Sequence, residues 1–318
     1  MNGREGVASV PLIDISALRS PRLADRQAVA AELGRACREI GFFYAVGHGI
    51  PVPLIQGVFE ASHRFFAQPL EAKQALSIKR SDNDVGYIAL NDEQLDPDSP
   101  ADPKEAFNIG LELPWDHPAM VQGQAFRGPN FWPDLPGWRE TLLAYYDQCW
   151  SVGRLIHRGL SLDLQIDEDF FEDKLDEPIG ILRLLHYPPR TQPAASSLGA
   201  GAHCDYGNIT LLATDGVDGL QVRPRGDDWM DAPTIDGALI CNIGDCLMRW
   251  TGDVYVSTPH RVIRPPADRF SVAFFLDPNP DAAVETLPGM TAKYPPTTGG
   301  DYLKQKLDAS YAHRADAS

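Results

Sequence analysis

Gly201-Ala202-His203-Cys204-Asp205-Tyr206-Gly207-Asn208-Ile209-Thr210-Leu211-Leu212 carries the densest chemistry in the chain. One residue separates a histidine from an aspartate. Beyond them the pattern turns apolar, and Ile209 to Leu212 reads as a buried β-strand. On extended backbone, residues two apart point to the same side. His203 and Asp205 therefore bring a neutral nitrogen and an anionic oxygen to one point, a donor pair suited to a divalent first-row metal. Cys204 turns to the opposite side and reads as a small filler, not a ligand.

A third donor lies downstream in Ser257-Thr258-Pro259-His260-Arg261-Val262. Two imidazoles and one carboxylate make a facial set that leaves three octahedral positions open, the pattern of non-haem Fe(II) sites. Further on, Arg269 to Leu276 is strand-like, and alternation sets the Arg269 guanidinium and the Ser271 hydroxyl on one face. A guanidinium fork beside a hydroxyl is a carboxylate clamp. Singly, these signals are weak, since most His-x-Asp pairs are surface pairs or caps. Order, spacing and strand context together point to a metal with open positions beside an anion anchor.

The chain also resembles the isopenicillin N synthase-like branch of the Fe(II)/2-oxoglutarate-dependent oxygenases over almost its whole length. Val10 to Ser16 resembles that family's first strand. Glu39-Ile40-Gly41-Phe42-Phe43-Tyr44 with Gly47-His48-Gly49-Ile50-Pro51 resembles its "GFF…NHG" segment. Asp102 to Phe107 resembles its "KE-F" strand, and Arg183 to Pro189 its "R-x-N-Y-Y-P-P" strand. Gly219 to Val222 and Asn242 to Asp245 resemble the strands between the metal ligands. The resemblance implies that His203, Asp205 and His260 bind Fe(II). It implies that Arg269 and Ser271, helped by Tyr187, hold the distal carboxylate of 2-oxoglutarate, with O2 as the further co-substrate. It departs at Leu185 and His186, where the family often has Asn and Tyr. That Asn commonly lies beside the co-substrate, and Leu185 cannot donate its hydrogen bond.

The expected activity is hydroxylation or desaturation of a small organic molecule, with release of succinate and CO2. Alternatives are an Fe(II) oxidase of the same fold using no 2-oxoglutarate and a non-catalytic jelly-roll binding protein. A zinc hydrolase would leave the downstream Arg-x-Ser unexplained. The sequence does not single out the substrate or the oligomeric state.

Composition agrees with a globular enzyme. The 318 residues carry 28 basic and 44 acidic side chains, a net charge of −16 that argues against nucleic acid and anionic membranes as partners. The five cysteines, Cys37, Cys149, Cys204, Cys241 and Cys246, follow no disulfide pattern and read as reduced thiols in a cytoplasmic protein. No apolar run has the length of a membrane span.

The expected architecture is α+β with a mainly β core: a double-stranded β-helix, or jelly roll, flanked by N-terminal helices and a C-terminal helix. The whole chain, 1–318, reads as one domain, helix-rich over 10–175, jelly roll over 180–276, and a C-terminal extension over 277–318. Residues 1 to 9 read as a loose end and 10 to 16 as a strand. A helix runs from Ser20-Pro21 to about Gly41 on a stripe of Val29, Leu33, Cys37 and Ile40. Phe42 to Val46 is a strand, a second helix follows Pro51 with His63 on its open side, and Pro69 starts a further turn. Residues 79 to 101 read as a long loop, either a solvated connection or a substrate-facing lid in which Gly86 to Ile88 faces the pocket. Residues 114 to 135 look irregular. Pro136 to Leu162 is the longest helix, Asp167 to Leu175 a short capped one, and Gly300 to Tyr311 the last. His48 and His157 read as structural, Asp245 as fixing a turn, and Trp229 and Trp250 as packing or pocket walls.

Overall fold

The computed structural model of the chain describes residues 9–96, 99–189 and 198–315. The loose end expected over residues 1 to 9 lies, apart from Ser9, outside the described residues, as do Pro97 and Asp98 of the 79–101 loop.

In chain order, strand β1 (Leu12–Asp14) leads through a short 3-10 turn to helix α1 (Leu23–Glu39). Then come β2 (Phe42–Val46), α2 (Val52–Phe66) and the short α3 (Leu70–Gln74). Next are β3 (Gly86–Ile88), β4 (Glu105–Gly110), the one-turn α4 (Pro118–Val121) and the long α5 (Trp138–Asp163). The core adds β5 (Ile179–Tyr187), β6 (Leu198–His203), β7 (Ile209–Thr214), β8 (Leu220–Val222), β9 (Met230–Asp231) and β10 (Leu239–Ile243). It closes with α6 (Asp245–Trp250), β11 (His260–Ile263), β12 (Arg269–Asp277), the small pair β13 (Ala283–Val284) and β14 (Thr297–Thr298), and α7 (Gly299–Ala315).

Eight strands form one sheet in the order β1-β2-β10-β7-β12-β5-β4-β3, and four form a second, β6-β11-β8-β9. Apart from the parallel β1–β2 pair, all pairings within these two sheets are antiparallel. The two sheets make the jelly roll. The larger one is not confined to residues 180–276, because the early strands β1 to β4 extend both of its edges.

Alternation divides the large sheet's residues between two environments. Along β12, Phe270, Val272, Phe274 and Leu276 join the apolar core shared with α2 and α5, where Phe65, Trp138, Val152 and Ile156 are buried. The other set, Arg269, Ser271, Ala273, Phe275 and Asp277, faces a cavity between the sheets. The helices thus cover the back of the sheet, and the site lies on its front.

Two sequence expectations are corrected. Asp167 to Leu175 forms turns and a 3-10 segment, Glu172–Lys174, with no α-helix. Nine residues are few for an independent helix, and the packing of Phe171 and Leu175 into the core sets the backbone instead. The 79–101 segment is not all loop: Gly86–Ile88 pairs with β4, and a 3-10 turn covers Ile78–Arg80.

The end of α1 ties the N-terminal region to the site. Gly41 has φ +73° and sends its N–H back to the Ala36 carbonyl at 2.8 Å, which closes the helix. Its own carbonyl accepts from Ile243 N–H at 2.9 Å. Val256 N–H donates to the Cys37 carbonyl at 2.9 Å and the Thr258 hydroxyl to the Ile40 carbonyl at 2.5 Å. The segment entering β11 is therefore docked on this helix end. A Cβ on Gly41 would lie 2.2 Å from the Val256 carbonyl oxygen. Gly41→Ala combines a left-handed backbone with that clash and should cost about 2 kcal/mol or more. Urea unfolding should show a lower midpoint at unchanged slope, and an unchanged midpoint would contradict this account of the helix end.

Candidate metal centre and its cavity

Two antiparallel neighbours in the small sheet deliver the histidines. His203 ends β6, His260 begins β11, and the register sets them opposite each other. Their ring centroids are 4.3 Å apart. Asp205 follows β6 by two residues, and its Oδ1 lies 3.8 Å from His203 Nε2 and 3.6 Å from His260 Nε2. One ligand atom from each of the three side chains falls within 4.8 Å of the others. Cys204 stays outside this group, as alternation required.

The remaining polar atoms of these side chains are occupied. His203 Nδ1 is 2.8 Å from the Gly201 carbonyl and His260 Nδ1 is 3.2 Å from the Thr258 carbonyl. Both rings therefore carry the proton on Nδ1 and leave the Nε2 lone pair facing Asp205. Asp205 Oδ2 accepts from the Thr210 hydroxyl at 2.5 Å and from Asn242 Nδ2 at 2.7 Å, so Oδ1 is left for the histidines. Burial, then the neighbouring His260, push the His203 imidazole down to about 4, so it is neutral and able to ligate. Burial would raise the Asp205 carboxyl, but the two histidines and the bonds from Asn242 and Thr210 outweigh it and hold it below its ordinary range. A dication fits this set: two lone pairs and one anionic oxygen converge, each orienting partner being already in place.

The loop carrying Asp205 is gripped by the start of α6. The Asp245 N–H donates to the Asp205 carbonyl at 2.8 Å, and the Gly244 N–H to the Asn208 carbonyl at 2.9 Å. Asp245 thus fixes this turn through its backbone, while its carboxylate pairs with Lys306 of α7 at 2.7 Å.

The second cluster sits on β12. Arg269 is 1 % exposed, and among the described residues no carboxylate pairs with it. Its Nε donates to the Val217 carbonyl at 3.2 Å, its Nη1 to Ser271 Oγ at 3.4 Å, and its guanidinium lies 5.0 Å from the centre of the Tyr187 ring. Tyr187 pairs directly with Arg269 in the β5–β12 register. A buried cation without an anion is costly, and here it faces a cavity. The group fits a small carboxylate.

That cavity, of about 340 Å³, connects the two clusters. Leu185, Leu212, Leu220, Val262 and Ala273 supply apolar wall from both sheets. Leu185 therefore stands where the sequence departure matters. The neighbouring His186 does not compensate: its ring turns to the other face, stacked on Phe270 with centroids 4.5 Å apart and bonded to Glu105 and Asp268 at 2.8 and 2.9 Å. The 79–101 segment reaches the cavity through Ile88, Glu93, Gln94 and Leu95, whereas Tyr87, expected to face the pocket with Gly86 and Ile88, packs in the apolar core against Phe65.

The other singled-out residues are structural. His48 lies 3.2 Å from the Gly237 carbonyl and accepts from Ile50 N–H at 3.1 Å. His157 Nδ1 is 2.8 Å from the Gly153 carbonyl and its Nε2 is 3.3 Å from Asn208 Nδ2. His63 is exposed, its ring 3.9 Å from that of Phe270. Trp250 packs on Phe171, and the guanidinium groups of Arg223 and Arg261 lie 4.9 and 4.1 Å from the centre of the Trp229 ring.

Three features were not read from the sequence. The donors to Asp205 are one. The second is a buried charge cluster: Lys104 holds Asp102 at 2.7 Å and Glu93 at 3.2 Å, and Arg183 also pairs with Glu93. Burial would raise the Glu93 carboxyl, but Arg183 and Lys104 outweigh it and hold it at about 2. Asp102 in turn accepts from Gly201 N–H at 2.9 Å, on the residue whose carbonyl holds His203. The third is Asp277, a buried carboxylate at the far end of the cavity-facing row that begins with Arg269. Burial pushes it up to about 7, with the Asn208 N–H lowering it and the Asp205 charge raising it.

Two family descriptions match the chain: "non-haem dioxygenase in morphine synthesis N-terminal" over residues 10–135, and "2OG-Fe(II) oxygenase superfamily" over residues 178–278. A 2-oxoglutarate-Fe(II) type oxidoreductase of Emericella nidulans is 36 % identical over 321 residues, covering 96 % of this chain and 91 % of that protein. A homoarginine-6-hydroxylase of Arabidopsis thaliana is 38 % identical over 329 residues, covering 96 % and 98 %. A Neurospora crassa protein crystallised with alpha-KG and thymine superposes with a TM-score of 0.85 at 31 % identity, covering 98 % of this chain and 99 % of that one.

Removing a donor to Asp205 Oδ2 should weaken metal binding without unfolding the chain. Asn242→Leu and Thr210→Val are each expected to lower Co(II) or Fe(II) affinity about 10- to 100-fold in an anaerobic titration. Unchanged affinity in both variants would show that these bonds do not orient the carboxylate.

Proposed function

The chain belongs to the 2OG-Fe(II) oxygenase superfamily and is an Fe(II)- and 2-oxoglutarate-dependent dioxygenase, from which we propose how its residues divide the work. His203, Asp205 and His260 hold the iron. Arg269 and Ser271 bind the distal carboxylate of 2-oxoglutarate, and Tyr187 braces the guanidinium from its ring face. The convergence of two Nε2 lone pairs and one free carboxylate oxygen, with every other polar atom of the three side chains occupied, is the observation that carries this assignment.

Fe(II), 2-oxoglutarate and O2 supply an oxidant that acts on a C–H bond, with succinate and CO2 as co-products. The chain's own part is positional. Arg269, buried and with no anion paired to it among the described residues, fixes the direction in which a dicarboxylate enters. The apolar wall formed by Leu185, Leu212 and Val262 keeps water from the reacting atoms. Leu185 makes that wall dry where relatives often carry an amide, so the guanidinium and Ser271 bear more of the co-substrate's binding. The substrate is a small organic molecule enclosed in the rest of the cavity, consistent with the homoarginine and thymine named for the relatives. The whole chain acts as one domain, since the cavity draws walls from residues 78–108, from the jelly roll and from α7.

Anaerobic titration of the Fe(II)-reconstituted protein with 2-oxoglutarate should give a saturable visible charge-transfer band. Iron bound with no band would overturn the co-substrate site. Arg269→Gln should raise the Kd for 2-oxoglutarate about 30-fold or more while iron binding survives, because it truncates one partner of a buried charge pair. His203→Ala and Asp205→Ala should instead lose iron, and full turnover by either with added Fe(II) would contradict their role as ligands.

A further inference from the structure

The cavity-facing row of β12 has a cation at one end and an anion at the other, Arg269 and Asp277. The metal group lies between them but nearer the acid. Thr210, which donates to Asp205, is opposite Phe275 in the β7–β12 register. Asp277 is two residues further on, about 7 Å along the strand, on the side away from Arg269. A molecule reaching past the iron from the 2-oxoglutarate end meets this carboxylate.

Asp277 is 6 % exposed. Its Oδ1 accepts one bond, from Asn208 N–H at 3.1 Å. Among the described residues no lysine, arginine or histidine pairs with it, and Oδ2 has no donor. The backbone makes room for it: a Cβ on Gly207 would lie 1.4 Å from Oδ1. An asparagine would hold the Asn208 N–H equally well without a buried charge, so that bond does not account for an acid here.

The other buried charges around the cavity cancel. Glu93 and Asp102 are matched by Lys104 and Arg183. A doubly charged iron with one carboxylate ligand leaves a single positive charge, Arg269 adds a second, and the dianionic co-substrate neutralises both. Among the buried described residues of the cavity wall, Asp277 is the acidic group left without a partner charge. Ile179 and Phe275 beside it offer apolar surface for an alkyl stem.

We propose that Asp277 is a subsite for a cationic nitrogen, and that the substrate carries an ammonium or guanidinium group a few bonds from the carbon that is oxidised. This rests on the iron and 2-oxoglutarate assignment above.

The test uses the full chain loaded with Fe(II) and 2-oxoglutarate under anaerobic conditions. The probes are straight-chain compounds of equal length: an alkylamine, an alkylguanidine, an alkanol and an alkanoate. Binding is read by calorimetry and by perturbation of the charge-transfer band. The amine and guanidine should bind about tenfold or more tightly than the alcohol and acid. Asp277→Asn, which keeps an acceptor for the Asn208 N–H, should erase that preference, and Asp277→Glu should keep it in part. Equal binding of all four probes, no binding of the cationic ones, or a preference that survives Asp277→Asn would overturn the proposal. Absence of the charge-transfer band in the unsubstituted protein would overturn the co-substrate assignment instead, before any probe is added.

Discussion

The pairing of β12 with strands on both sides is the constraint on which the site depends. Its register against β5 and β7 runs without a break from Ser271 to Leu276, which fixes the parity of the whole strand. A slip of one residue would turn Phe270, Val272 and Phe274 into the cavity and bury Arg269 and Asp277 against the helices. That alternative is excluded energetically: two charges would enter a dry core while three apolar side chains lost theirs. Hydrophobic sorting on the back of the sheet therefore positions the polar groups on its front. The same rule acts in β5, where Leu182 and Leu184 are packed in the core and Leu185 and Tyr187 face the cavity.

This explains what was legible in the sequence. Where a period of two or of 3.6 was strong, the reading matched closely: Phe42–Val46 was found to the residue, and the longest helix within two residues at its start and one at its end. The His203–Asp205 pair and the Arg269–Ser271 pair were visible because a spacing of two on extended backbone is short-range, and His260 was placed with the former by the family resemblance. What was hidden depended on contacts between distant segments. Thr210 and Asn242 meet Asp205 only once β7 and β10 are paired. The charge cluster joins Glu93, Asp102, Lys104 and Arg183 across three segments. Asp277 shares the parity of Arg269 and Ser271, so a signal existed, but nothing local reveals that no cation among the described residues meets it. His186 and the 167–175 segment show tertiary packing deciding what local pattern left open.

The buried charge cluster is a support for the iron site more than a source of stability. Ion pairs removed from water gain little net free energy, whereas losing one partner costs about 3–5 kcal/mol. Asp102 ties the cluster to the backbone of Gly201, and Gly201 holds His203. A Cβ on Gly201 would lie 2.6 Å from the Asp96 Cβ, so the loop presses directly on the ligand strand. Distortion in this cavity-lining segment thus has a short covalent and hydrogen-bonded route to a metal ligand.

Part of the cavity's wall comes from chain segments remote from those that bear the metal ligands. Ile78, Ile88 and Leu95 approach from the N-terminal region, and Leu303 and Leu307 from the last helix, while all three ligands lie between residues 203 and 260. Inheritance can act on these parts separately. Substitutions in the outer segments reshape which molecules are admitted without disturbing the oxidising machinery, so a lineage built on this scaffold can exchange one substrate for another through single changes, with every intermediate still able to consume 2-oxoglutarate.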